Sequence, residues 1–398
     1  MRPHVPPSLL FVTAAVTVGF GAIFALLPDF QDSIGFGDAW LGAVTSASFI
    51  AGFMSQIGLA RFADRGHGRT MLLGGVAVAV VGLLLVAAAD SVAILLAGRI
   101  LLGLGEGAFL PAARRVIIVM NPAAVGGALG RMGAAATGGF LAGPPIAAFI
   151  AEWQGLAAPF WFLAAVLVAM LPVVARFPVA PAEHAPVAAP VRRLLRIEGI
   201  RAGLLLGAGL SLAIGVYDSL WAKFLKDDLG ASTKFVAVSL TVFALPIVAL
   251  APRMGRLADR FGPVRVGSLC TVASVPFVAA YGFLPNPWIV GVFAVFHSCF
   301  DSGAQPSSQA AVADASPPEL VAAGQGLLDG SALLVAAGSS MLAAPLYSAA
   351  GAKVLWCALA TGVGIAGVSA AWVGQSTRNA DTVSRSRRAS ARTTAESP

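Results

Sequence analysis

Long apolar runs, each about the width of a lipid bilayer, constrain this chain more than any other feature. About twelve can be marked along the sequence, at 8–28, 38–60, 71–89, 92–116, 124–150, 156–176, 201–221, 233–252, 264–284, 287–313, 321–347 and 352–374. A helix rises about 1.5 Å per residue and the hydrocarbon core is about 30 Å thick, so runs of about 18 or more apolar residues read as transmembrane helices. Of the 398 residues, 58% are hydrophobic and 11% are charged, with a mean hydropathy of +0.83. Soluble domains carry roughly 25% charged residues, so this chain lacks the polar surface a water-facing fold needs. The expected fold is an all-α polytopic membrane protein of twelve transmembrane helices.

The first run invites comparison with a signal peptide, since Arg2 precedes it. It is longer than an h-region of about 7–15 residues and ends at Leu27-Pro28-Asp29 without a small-residue cleavage site, so it reads as a retained helix. Three cysteines, Cys270, Cys299 and Cys357, sit inside apolar runs. They read as buried thiols, with neither a disulfide framework nor metal-ligand spacing, and no metal or cofactor is expected.

Net charge is +7, but the basic residues sit in short segments between apolar runs, so they argue for membrane topology rather than for nucleic acid. With both termini in the cytoplasm, every arginine except Arg99 falls inside or at an inner helix end. The four lysines, Lys223, Lys226, Lys234 and Lys353, fall outside. This bias sets the orientation. The stretch 177–200 carries Pro178, Pro181, Pro186 and Pro190, then Arg192, Arg193 and Arg196, and it divides the chain into bundles at 1–176 and 201–374. The Ser/Thr/Arg-rich tail 375–398 is expected to be disordered and solvated, with arginines able to touch anionic headgroups.

Two polar turns nearly repeat one another. Gly255-Arg-Leu-Ala-Asp259-Arg260-Phe-Gly262-Pro-Val-Arg265 follows the eighth run, and Ala60-Arg-Phe-Ala-Asp64-Arg65-Gly66-His-Gly68-Arg69 follows the second. Twelve runs in two halves, with this aspartate–arginine turn in each, resemble the major facilitator superfamily, in particular its 12-helix drug:proton antiporter group. The second copy carries Pro263-Val264 in place of the usual basic pair. The first carries Ala60 for glycine, Phe62 for leucine and one extra residue before Gly68-Arg69. A carboxylate at a helix end can pair with arginine or a helix N-terminus and hold one face shut until the halves rock. The plainer alternative is that both turns only mark topology.

The fourth run holds Leu95-x-x-x-Arg99-x-x-Leu102-Gly103-Leu104-Gly105-Glu106-Gly107. It resembles the family's membrane-embedded arginine motif, with leucine where glutamine is common. An arginine inside a membrane helix costs several kcal/mol unless it faces protein or water, and so marks a candidate functional site. Glu106 lies two turns on, roughly 10 Å along the same face, beyond direct contact. It can serve as the proton-coupling carboxylate tuned by Arg99, or each can belong to a static buried pair with another helix. In the fifth run, Gly130, Gly139 and Gly143-Pro144 reproduce the spacing of the antiporter motif, with Ala147 replacing the later glycine. Glycines four apart let backbones approach and proline bends the helix. The resemblance implies export in exchange for protons; generic small-residue packing gives the same spacing.

The eleventh run echoes this with Gly330 and Ala344-Pro345. In the tenth, His297 and Asp301 share a helix face with Gln305 following, either as an alternate proton site or as a mutually satisfied pair. The resemblance implies that runs 1, 4, 7 and 10 line the central cavity. Asp218, beside Tyr217 and Trp221, reads as part of an interfacial belt. Asp329 is a candidate partner for the Asp64 and Arg65 region, and Asp29 falls at the outer water boundary. No phosphate loop, zinc cluster or nucleophilic triad appears, so the chain is not read as an enzyme.

The expected function is secondary transport by alternating access, proton-coupled export of small organic or drug-like molecules, in the plasma (inner) membrane and as a monomer in the lipid bilayer. An uptake symporter or facilitator of the same fold stands as the alternative, and a transport-inactive sensor or scaffold as one of another class.

Overall fold

The computed structural model describes residues 5–62, 67–120, 125–177, 191–317 and 320–395, with side-chain surroundings for all of these except 60–62, 118–119, 125–130, 237, 321–322 and 376–395. Every regular element among them is helical. The chain runs α1 (Pro7–Gly21), α2 (Leu27–Ile34), α3 (Ala39–Phe62), α4 (Gly68–Ala87), α5 (Val92–Met120), α6 (Val125–Gln154) and α7 (Ala158–Val174). After the short α8 (Val191–Leu195) come α9 (Glu198–Lys223), α10 (Thr233–Phe261), α11 (Pro263–Ala280), α12 (Pro287–Ala315) and α13 (Val321–Ala395). Gly351, at φ 76°, breaks α13 into two arms. By length and composition, eight helical runs suit a bilayer, the run 323–375 counting as one although Gly351 divides it. Helices α1 and α7 are apolar but shorter. Helix α12 spans 29 residues, and His297, Asp301 and several serines dilute its apolarity.

The same packing scheme occurs twice. Helices α3 and α4 both pack on α5, α1 packs on α6 and α7, and α4 packs on α7. Correspondingly, α10 and α11 both pack on α12, and α9 and α11 pack on α13. Gly215 of α9 abuts Ala336 and Ser339 on the first arm of α13, while Gly209 abuts Val363 and Ala366 on the second. The halves meet where α3 crosses the first arm of α13 and where α6 crosses α10. At the first crossing Ser46 donates to the Ala337 carbonyl at 2.8 Å, and Gly42 lies against the backbone of Ser340.

Three expectations need correction. The first run is not one helix: α1 stops at Gly21, and α2 starts with Pro28 in its first turn. Proline has no N–H for the preceding turn and is at home at a helix start. The eighth run continues as helix to Phe261, so Asp259 and Arg260 occupy a last helical turn rather than a loop. Helix also continues to Ala395 through the tail expected to be disordered, because neither glycine nor proline interrupts 375–395.

Gly262 ends α10 at φ 92°, and Pro263 opens α11 at once. Side-chain-bearing residues pay roughly 1–2 kcal/mol in left-handed backbone. Gly262→Ala is therefore expected to lower unfolding stability by about 1 kcal/mol, measured by chemical unfolding in detergent, although open space surrounds the position.

Candidate functional site

Helix α5 carries a row of glycines that bring it close to its neighbours. Gly103 lies against the backbone of Ser48 in α3, and Gly105 against Gly75 and Ala79 in α4. That approach puts Ser48 within reach of Arg99, which is fully buried. Arg99 donates through Nη1 to the Phe20 carbonyl at 2.9 Å and through Nη2 to Ser48 Oγ at 2.5 Å. Its guanidinium also sits 5.1 Å from the Phe20 ring and 4.9 Å from the Phe24 ring. Charge-assisted hydrogen bonds contribute about 1.5–3 kcal/mol each, enough together with the rings to offset a buried charge that costs roughly 2.5–3.5 kcal/mol in a helix centre. The Nε donor has no partner among the described residues.

Two carboxylates interact electrostatically with this arginine. Glu106 is half-buried two turns along α5, between the charges of Arg99 and Arg114. Neither Arg99 nor Glu106 belongs to an ion pair among the described residues, so the static-pair alternative is not the arrangement here. The second is Asp218 of α9, in the other half, whose Oδ2 is buried and unpartnered. Asp218 is thus not part of an interfacial belt. Its neighbour on the sequence, Tyr217, turns into the second half, and the helix phase sends Asp218 toward Arg99. Asp329 pairs with Arg114 at 2.5 Å, joining α13 to α5. The expected partners Asp64 and Arg65 lie outside the described residues.

His297 and Asp301 do come together: Nε2 is 3.3 Å from Asp301 Oδ2, and Nδ1 is 3.0 Å from the Tyr281 hydroxyl and 3.5 Å from that of Tyr217. Trp221, Phe224 and Trp356 extend this aromatic cluster. With Gly209 and Ala213 of α9, Thr271 and Ser274 of α11 and Val363 of α13, the pair lines a cavity inside the second half. It does not join Arg99 and Glu106. Gln305, one turn on, reaches Thr137 Oγ1 of α6 at 3.2 Å.

The spacing Gly139, Gly143, Pro144 serves the contact between α6 and α1. A Cβ on Gly139 meets Thr17 Oγ1 and the Ala14 carbonyl; one on Gly143 meets Val18, Gly21 and Ala22 backbone. Pro144 and Pro145 both lie within the helix. Gly130 falls in α6 where side-chain surroundings are not described. Arg69 is exposed at the start of α4. Gly255 is half-buried, whereas Asp259 and Arg260 are exposed, with Arg260 over the Phe261 ring at 5.1 Å.

At the opposite face, pairs that the sequence did not suggest join the halves. Lys226 bonds Asp29 at 2.7 Å, Lys223 lies 3.3 Å from Asp38, and Lys234 bonds Glu152. Ser348 donates to Asp38 across the halves at 3.1 Å, and within the second half Tyr347 donates to Asp228 at 2.8 Å. Burial alone raises the Asp38 pKa, but the Gln31 hydrogen bond and the Lys223 charge outweigh it and hold the carboxyl below its ordinary 3.8. A depressed carboxylate stabilises above its ordinary pKa and loses that contribution as pH falls through the lowered value, so the Asp38 contact contributes above its ordinary 3.8 and is lost in acid below it. A double-mutant cycle of Asp29→Asn with Lys226→Met is expected to show a coupling of about 0.5–1 kcal/mol in unfolding free energy. A coupling of zero removes the pair from the latch.

Between α6 and α10 lies a cleft of about 600 Å³ with almost wholly apolar walls, including Leu141, Ile146, Phe149, Leu245 and Val248.

The sequence model of the Major Facilitator Superfamily matches residues 9–220 and again 203–396. Multidrug resistance protein MdtG of Serratia proteamaculans is 27% identical over 314 residues, 75% of each chain. MdtG of Klebsiella pneumoniae is 26% identical over 314 residues, again 75% of each. Among solved structures, the nucleoside transporter NupG aligns at TM-score 0.72 and 13% identity, over 92% of this chain and 98% of its own. A bacterial homolog of the human lysosomal transporter Spinster, inward-facing and occupied, aligns at 0.72 and 16%, over 93% and 96%. A POT family transporter in complex with a thioalcohol-conjugated peptide aligns at 0.75 and 14%, over 93% and 96%. At these identities the structures speak to the fold alone.

Proposed function

The chain belongs to the Major Facilitator Superfamily, and from that premise we propose that it exports small lipophilic or weakly cationic organic molecules in exchange for protons. It is a multi-pass membrane transporter of small molecules and not an enzyme. In this reading residues 1–176 and 201–374 are two bundles rocking about a mid-membrane pocket, 177–200 links them, and 375–398 is a tail beyond the last span. Both termini are cytoplasmic, following the arginine bias, and the protein works as a monomer in the inner membrane.

One observation carries the proposal. Among the described residues, Arg99 Nε and Asp218 Oδ2 are both buried and both unpartnered, on opposite halves, with Glu106 two turns from Arg99 along α5. Burying a polar atom without a partner costs free energy, so each favours a state or a ligand that satisfies it. Such groups differ in partners between inward- and outward-open states, which is what coupling requires. A substrate bearing an amine or hydroxyl is the chemistry that would satisfy them, and the separate apolar cleft between α6 and α10 suits a lipophilic body. Glu106, free of any fixed ion pair, is the proton carrier, and Arg99 positions it electrostatically. The lysine-face latch is closed, and toward the other face Arg114–Asp329 also ties the halves, while Asp259 and Arg260 are exposed. MdtG proteins carry the name multidrug resistance protein, which supports a drug-like substrate range.

Purified protein in liposomes with an imposed pH gradient tests this with a fluorescent lipophilic cation as substrate. Glu106→Gln is expected to abolish gradient-driven transport while substrate binding survives. Undiminished coupling in that variant removes Glu106 from the mechanism. Uptake or facilitated diffusion by the same fold is the second reading. If collapsing the gradient leaves substrate distribution unchanged, that reading replaces export.

A further inference from the structure

We propose that the cavity around Asp301 is a binding site for one dehydrated monovalent cation of sodium's size, separate from the Arg99 site. The cavity is enclosed by α9, α11, α12 and the second arm of α13, inside the second half rather than between the halves. Its accessible core is about 10 Å³, room for one water-sized particle. Four polar side chains face it in an otherwise apolar bundle: Thr271, Ser274, His297 and Asp301, respectively 3%, 2%, 1% and 8% exposed.

The hydrogen bonds leave an oxygen-rich, negatively charged vacancy of valence. The Thr271 hydroxyl has no hydrogen-bond partner among the described residues. Ser274 donates to the Thr271 carbonyl at 2.8 Å, which leaves its own oxygen lone pairs free to accept. The Tyr281 hydroxyl and His297 Nδ1 share a hydrogen bond in which either can donate; in the arrangement where the hydroxyl donates, Nε2–H donates to Asp301 Oδ2. The second oxygen of Asp301 stays uncommitted, and no lysine or arginine lines the cavity. A buried carboxylate without a counter-charge is strongly unfavourable. A bound cation supplies that charge and at the same time gives the orphaned Thr271 hydroxyl a partner.

Charge decides the class of ion: the one carboxylate lining the cavity balances a single positive charge, whereas calcium takes about six to eight oxygens and magnesium keeps several waters, more than this one-particle cavity holds. A proton on Asp301 neutralises the charge but leaves Thr271 unsatisfied. The site does not depend on export or on Glu106.

Thermal unfolding of the full-length protein in detergent tests the proposal, with sodium, potassium and choline chlorides compared at equal ionic strength and fixed pH. A saturable rise in the midpoint with sodium alone is expected. It should persist in Thr271→Ser, which keeps the hydroxyl, and vanish in Thr271→Val, which keeps the shape. Asp301→Asn should likewise abolish the sodium response. Equal midpoints in all three salts overturn the proposal, as does a sodium response that survives Thr271→Val. Midpoints that move with pH identically in every salt assign the cavity to a proton and also overturn it.

Discussion

Arg99→Met is expected to reduce transport in liposomes more than a hundredfold, and Arg99→Lys at least tenfold, with most of the lysine variant still folded. Methionine removes the donors to the Phe20 carbonyl and Ser48 Oγ and leaves Glu106 and Asp218 without the cation they share. Two charge-assisted hydrogen bonds at about 1.5–3 kcal/mol each set the scale, since about 1.36 kcal/mol is tenfold in rate. Lysine restores the charge but not the planar fork or its seat on the Phe20 and Phe24 rings. The two variants thereby separate charge from geometry. Initial rates and unfolding midpoints measured on the same preparations check the result, and wild-type rates in Arg99→Lys sink the claim that the guanidinium's shape matters.

The α1–α6 contact gives the second large effect, with its own control beside it. Gly139→Ala is expected to cost about 1–3 kcal/mol of stability by overpacking, because the new methyl meets the Ala14 carbonyl and Thr17 Oγ1 in a neighbouring helix. Backbone atoms there cannot swing aside as a long side chain can. Gly143→Ala presses on Val18, Gly21 and Ala22 backbone in the same way. Gly138→Ala, one position away, meets nothing within 4 Å and is expected to be neutral. If Gly138→Ala and Gly139→Ala unfold alike, close helix approach is not what these glycines provide.

The helices were legible because apolar runs and basic turns obey local rules. Breaks in the runs were legible only in part: Pro28 announced a boundary, yet nothing local distinguished a helix ending at Gly21 from one continuing through it. The Arg99–Glu106 spacing and the His297–Asp301 pair could be read from helix phase. Asp218 could not, since its role depends on which face of α9 turns toward Arg99 in the other half. The latch was equally hidden, because Asp29 and Lys226 lie far apart in sequence and meet only through the registry of two helical groups. Thr271 joins Asp301 from a different helix, so the cavity they share emerges only from the packing of α11 on α12.

The burial of Arg99 has an electrophoretic consequence. The lysines at positions 223, 226 and 234 are neutralised in place by aspartate and glutamate at one face, so breaking those pairs moves little charge along the voltage drop. Arg99 sits within the low-dielectric slab, where a full crossing by one elementary charge is worth about 2.3 kcal/mol per 100 mV. If rocking shifts its guanidinium by a tenth of that distance, turnover changes by about 0.2 kcal/mol per 100 mV, and the sign of that dependence reports which way the arginine travels.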